Sequence, residues 1–208
     1  MIVLADNDIV LKLAACDLFG EFFTAFATTR STVQILPTAR NVLTSKRFQK
    51  RLDEAARLRL AEFLANAPEI NVVPSLERRE ALAEQPRIDD GEAFLFASCP
   101  LLTDSVLVTG DKRALIALVE AGTSDATCAE VCAELAGRVY CFEQVIERIL
   151  SAVGFDAIRE RLVAARECDS GLALWLGSTL DATAERFDEG LQSFLNRART
   201  ETGALLAK

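Results

Sequence analysis

Short apolar runs alternate with longer amphipathic stretches along the first two-thirds of the chain. Ile2-Val3-Leu4-Ala5 leads a segment, residues 1–6, that predicts a buried strand. From Ile9 to Phe26 the pattern changes to helical spacing, with Ile9, Val10, Leu13, Cys16 and Leu18 on one face. Val33-Gln34-Ile35-Leu36 predicts a second strand, and Pro37 suits the first turn of a helix. Lys46 to Ala65 predicts one amphipathic helix ended by Pro68, and Ile70 to Val73 a third strand. A helix restarts at Pro74-Ser75, and Gly91 to Cys99 predicts a short apolar helix stopped by Pro100. Val106 to Val108 predicts a fourth strand, Lys112 to Ala121 a helix, and Gly137 to Phe142 a fifth strand. Strands alternating with helices imply an α/β fold with a mostly parallel sheet covered on both faces.

From about residue 143 the strand signal stops. Residues 143–153, 155–166 and 172–206 all predict helix, and Phe187, Leu191, Phe194, Leu195 and Ala198 recur at helical spacing. The expected organisation is one α/β domain over residues 1–145 and an α-helical extension over 146–208. That extension either caps its own domain or supplies a homodimer face, and capping is the more usual use of an amphipathic helix.

The balance of 23 basic and 31 acidic residues gives a formal charge of −8. A protein that coats nucleic acid through bulk charge is therefore not expected. There is no histidine. This excludes Ser-His-Asp and Cys-His nucleophile systems and His-ligated zinc. The six cysteines are scattered without a CxxC pair and read as buried reduced thiols. The short apolar start is broken by Asp6 and Asp8, so no signal peptide is expected, and no apolar run is long enough for a membrane span. A reducing cytoplasm is the expected setting.

Acidic residues cluster where strands end or helices begin. Asp6-Asn7-Asp8 follows the first strand, Asp89-Asp90-Gly91-Glu92 opens a mid-chain helix, and Asp111 follows Val106-Leu107-Val108-Thr109-Gly110. Each has a plain structural use as an N-cap or as a negative charge at a helix N-terminus. Their common position is the other reading. In an open α/β sheet the carboxyl ends of parallel strands share one edge, where ligands bind. Carboxylates gathered there repel one another unless a hard cation such as Mg²⁺ or Mn²⁺ joins them, and the matching chemistry is metal-assisted phosphodiester hydrolysis.

The order of these motifs resembles the PIN domain family of Mg²⁺/Mn²⁺-dependent ribonucleases, over about residues 1–145. The stretches that carry the resemblance are Leu4-Ala5-Asp6-Asn7-Asp8, Asp90-Gly91-Glu92-Ala93 and Leu107-Val108-Thr109-Gly110-Asp111. The resemblance implies a three-layer α/β/α fold, RNA as substrate, and a metal held by Asp6, Glu92 and Asp111. It also implies that Asp90 or Asp8 orients the attacking water and that Thr109 contacts a phosphate or a water through its hydroxyl. Many bacterial toxins belong to the family, so an antitoxin partner is implied for that branch. The family usually carries a Glu in the helix after the second strand. Here Pro37-Thr38-Ala39-Arg40-Asn41-Val42-Leu43 holds no acid, and Asn41 stands in the expected place.

Lys112 and Arg113, beside Asp111, and Arg40 with Asn41 are the expected substrate contacts. The basic run from Arg40 to Arg59 has few aromatics, so base stacking is not indicated. Two other readings compete. A degenerate PIN-like module would bind RNA or protein without cutting. A phosphatase of the haloacid dehalogenase type would use Asp6 and Asp8 as an Asp-x-Asp pair, but it lacks a second acid after Asp111.

Overall fold

The computed structural model describes residues 1–177 and 183–208. Four strands form one all-parallel sheet: β1 (Ile2–Ala5), β2 (Val33–Ile35), β3 (Ser105–Thr109) and β4 (Val139–Cys141), in the order β2-β1-β3-β4. Helices fill the connections: α1 (Asn7–Cys16), α2 (Phe19–Ala25), α3 (Ala39–Leu43), α4 (Lys46–Gln49), α5 (Glu54–Asn66), α6 (Leu76–Ala83), α7 (Asp90–Ser98), α8 (Lys112–Ala121) and α9 (Ala126–Leu135). After β4 come α10 (Phe142–Val153), α11 (Arg159–Ala164), α12 (Ser170–Leu176) and α13 (Ala184–Thr202).

The register pairs Val3 with Val33 on one side of β1 and with Val106 on the other. The chain leaves β1 for β2 in one direction and leaves β3 for β4 in the other. Right-handed crossovers then put α1 and α2 on one face and α8 and α9 on the opposite face. The contacts agree. Helices α1, α2, α3, α5, α10 and α11 pack among themselves, as do α6, α7, α8 and α9. Helix α13 touches α8 and α10 and so wraps the β4 edge. One continuous apolar core includes Leu4, Val108 and Phe96, and also Ile149, Leu172, Phe187 and Leu191 from the helical C-terminal part.

Several predicted elements differ. Ile70–Val73 is not a strand; a single bridge joins Ile35 to Glu69. Ile70 is buried and Val72 packs against the core, but Val73 is exposed and Pro74, which has no N–H to donate to a ladder, follows it at once, so the pairing does not extend past the bridge. The predicted helix from Ile9 to Phe26 is broken at Asp17, which adopts the left-handed conformation that Asp tolerates. The predicted helix from Lys46 to Ala65 is two helices, because the Asp53 side chain accepts from the Ala56 N–H and starts α5 afresh. The helix predicted over 172–206 is α12 and α13, and its residues 178–182 lie outside the described residues. The final residues return to the sheet edge: Leu206 bridges Val139, and Ala207 donates its N–H to the Val139 carbonyl at 2.8 Å. Among the described residues no helix is long and apolar enough to cross a membrane.

Candidate active site

Between β1 and β3 the strand order changes direction, and this is where an open parallel sheet leaves a crevice at its carboxyl edge. A cleft of about 600 Å³ opens there. Asp6 and Asp8 reach it from the β1–α1 junction, Asp89 and Glu92 from the start of α7, and Asp111 from the β3–α8 junction. The three segments are far apart in sequence and meet only because the sheet places β1 beside β3.

Asp6 is buried. Burial first, and then the negative charges of Asp8 and Asp89, push its carboxyl up to about 6, against lowering by the Asn7 N–H and the Thr109 hydroxyl. Glu92 is buried at the first turn of α7. Burial, with the charges of Asp89, Asp111 and Asp6, pushes it up to about 8, while a bond from the Asp89 N–H opposes the rise. Carboxylates from three segments therefore feel one another, which marks crowded and uncompensated negative charge.

Thr109 organises this group. It is buried, its hydroxyl donates to Asp6 Oδ2 at 3.2 Å, and it accepts from the Asp111 N–H at 3.1 Å. One side chain thus sets the relation between the ends of β1 and β3. The hydroxyl donates to one neighbour and accepts from the other, so a positioning role stands beside the expected substrate contact.

The remaining carboxylates have capping bonds. Asp89 Oδ1 accepts from the Glu92 N–H and Glu92 Oε2 accepts from the Asp89 N–H, both at 2.8 Å, a reciprocal capping box. Asp111 Oδ1 accepts from the N–H groups of Arg113 and Ala114 at the start of α8. These bonds use one oxygen of each carboxylate. Among the described residues no group of three or more acidic or cysteine side chains is drawn together closely enough to hold a metal ion. In chemistry, however, the donor set fits a hard divalent cation, being oxygen-only and crowded with like charge. Beside it, Asn7 Oδ1 is shielded from solvent and has no hydrogen-bond partner among the described residues.

Lys12 lies on the same cleft, one turn along α1 from Asp8. Its ammonium is 2.5 Å from Asp8 Oδ2 and 2.7 Å from Asp169 Oδ2, so it joins the cleft to the segment that begins α12. The closeness of Gly110 to this pair explains the glycine. A Cβ there would fall 1.9 Å from Asp8 Oδ2 and 3.0 Å from Lys12 Nζ.

The other expected site residues divide. Arg113 lines the cleft and is largely exposed, with only a 3.4 Å contact to Asp111. Lys112 lines it too, but its ammonium pairs with the buried carboxylate of Glu143. Asp90 does not face the cleft; it is exposed beside α6, in a hollow with Arg79 and Glu80. Arg40 is held elsewhere by the carbonyls of Leu64 and Ala67, at 3.0 and 2.6 Å, and by Glu69. Asn41 is exposed and off the cleft, and α3 offers Val42 and the preceding Thr38 instead. Lys12 and Asp169 were not anticipated from the sequence, and Asp89 was anticipated only as part of its cluster. The chain matches no family model, and comparisons with curated proteins and with solved structures return no match.

Proposed function

We propose that this protein is a PIN-like, metal-dependent endoribonuclease whose active site is the cleft between β1 and β3. The observation that supports the reading most is the convergence of Asp6, Glu92 and Asp111 at the switch point of the sheet, with Asp6 and Glu92 both pushed up, first by burial and then by nearby carboxylates. Asp6, Glu92 and Asp111 would hold a Mg²⁺ or Mn²⁺ ion. Bound there, such an ion supplies neutralisation of charge on a phosphate and acidification of a water. Thr109 holds Asp6 in register with the Asp111 backbone. Asp8, fixed by Lys12 at the cleft wall, is the carboxylate placed to accept a proton from an attacking water. Arg113, exposed at the rim, is the cation available to a phosphate oxygen.

The test is cleavage of a mixed structured RNA pool with Mn²⁺, with EDTA, and with Asp6→Asn. Cutting is expected only with Mn²⁺ and is expected to fall at least about a hundredfold in the variant, the scale of several kcal/mol of lost charge stabilisation. Equal cutting by Asp6→Asn would remove the site from the reaction.

A second reading, a PIN-like module that binds without cutting, is favoured by one observation: α3 brings no acid to the cleft. The geometry supplies a test of whether a charge on the cleft side of α3 would reach a metal bound there. Val42→Glu would add a carboxylate on the cleft side of α3, whereas Asn41→Glu would add one outside it. Val42→Glu is expected to tighten Mn²⁺ binding roughly tenfold by calorimetric titration, and Asn41→Glu to leave it unchanged, because ligand charge sets affinity for hard cations. Equal effects from both would show that the charge acts at a distance and not as a ligand.

A further inference from the structure

Behind the Lys12–Asp169 ion pair at the edge of the acidic cleft, two thiols face each other. Cys16, fully buried in the last turn of α1, lies with its sulfur 3.7 Å from that of Cys168, although the two are 152 residues apart in sequence. Both are free. Of the other cysteines, Cys99 meets the Ser105 hydroxyl, and Cys132 lies near Cys128 but donates to the Leu118 carbonyl. Cys168 is half-buried and opens onto two hollows, of about 430 and 200 Å³, so a small molecule can reach its sulfur. The larger hollow carries Arg51, Arg59 and Arg161 against Asp17, Asp53 and Glu167 and so favours neither sign of charge.

We propose that Cys16 and Cys168 are a dithiol site that closes to an intramolecular disulfide by exchange with a small, low-molecular-weight disulfide. The accessible Cys168 thiolate attacks one sulfur of the reagent, whose S–S bond breaks and releases one thiol. Cys16 then gives up its proton and attacks the Cys168 sulfur, expelling the second thiol. Two protein thiols are oxidised and one reagent disulfide is reduced to two thiols. The sulfurs must approach from 3.7 Å to about 2 Å, a movement within reach of side-chain rotation and a small shift of the 3₁₀ turn at Arg166–Cys168.

The position gives the bond a consequence. Cys16 follows Lys12 by one helical turn, and Cys168 directly precedes Asp169, the carboxylate that Lys12 holds. The disulfide would run beside that ion pair and fasten the α12 segment covalently to the helix that leads from the cleft. This holds whether or not the cleft cuts RNA.

The experiment treats the intact protein with 2-hydroxyethyl disulfide, alkylates the remaining thiols and maps the digest by mass spectrometry. The expected product is a Cys16–Cys168 linked peptide lacking two hydrogens. The melting temperature is expected to rise by several degrees and to return on adding dithiothreitol, because the bridge closes a very long loop. Cys168→Ser should lose both effects and Cys132→Ser should keep both. A stable adduct of the reagent on Cys168, unmodified thiols, or a bridge between other cysteines would each overturn the assignment, and the wild-type map decides the matter even if a variant fails to fold.

Discussion

In EDTA, the protein is expected to lose stability as the pH rises from about 4 to 8, and Mn²⁺ at pH 8 to restore it. Asp6 has its carboxyl raised from 3.8 to about 6 and Glu92 from 4.5 to about 8. For an acid raised in the folded state, the folded chain binds more protons than the unfolded chain between the two values. Stability therefore falls with rising pH across that window, and below it the penalty is absent. For Asp6 the span of about 2.2 units corresponds to roughly 3 kcal/mol. Glu92 extends the fall to about pH 8, and because each group feels the other the two do not add independently. Asp169, whose carboxyl is lowered by Lys12 against the effect of burial, acts in the opposite sense only at lower pH. Asp6→Asn should remove its own share and relieve Glu92, so the variant melts higher than the parent at pH 8 in EDTA. The same variant should gain little from Mn²⁺. Melting curves by circular dichroism from pH 4 to 8 make the comparison, and a parent whose stability climbs steadily over that range in EDTA would show that the carboxylates are not crowded.

That crowding was legible in the sequence only at strand ends. An apolar run followed at once or within three residues by an acid places the acid at the carboxyl edge of a parallel sheet, which is why Asp6 and Asp111 meet on the cleft. Helix phase was less legible. Asp89-x-x-Glu92 is a capping-box spacing, and read as one it puts Asp89 at the N-cap and Asp90 at the first helical position, where the structure has it turned away from the cleft. Helix α3 is only five residues long, too short for periodicity to show that Val42 and not Asn41 faces the cleft. The breaks at Asp17 and Asp53 depend on a left-handed residue and on a side-chain cap, which an apolar pattern does not record. Lys12 carried one readable sign, its place four residues after Asp8 on an otherwise apolar face. Asp169 carried none, since it joins the site only through packing of the distant C-terminal helices.

Lys12 is expected to be the most costly polar side chain to remove. It is 7% exposed, lies 4.8 Å above the Phe142 ring and bridges Asp8 and Asp169. Burial alone would lower its pKa, but the two carboxylates outweigh this and hold the ammonium well above the usual lysine value. Lys12→Met keeps most of the volume and removes the charge. Asp8 and Asp169 then face each other unpaired, beside a cleft already crowded with Asp6, Asp89 and Glu92. Breaking a buried pair in this way costs about 3–5 kcal/mol, more than the pair itself contributes, because it strands the partner charges. The urea midpoint of Lys12→Met should fall accordingly. Adding Asp169→Asn to it should recover part of the loss, as one stranded charge is removed. A mere surface ion pair predicts a loss under about 1 kcal/mol and no recovery in the double variant. The contrast bears on the architecture as well as on stability: a large, partly recoverable loss means that the charge balance of the cleft, and not apolar packing alone, seats the C-terminal helices on the sheet.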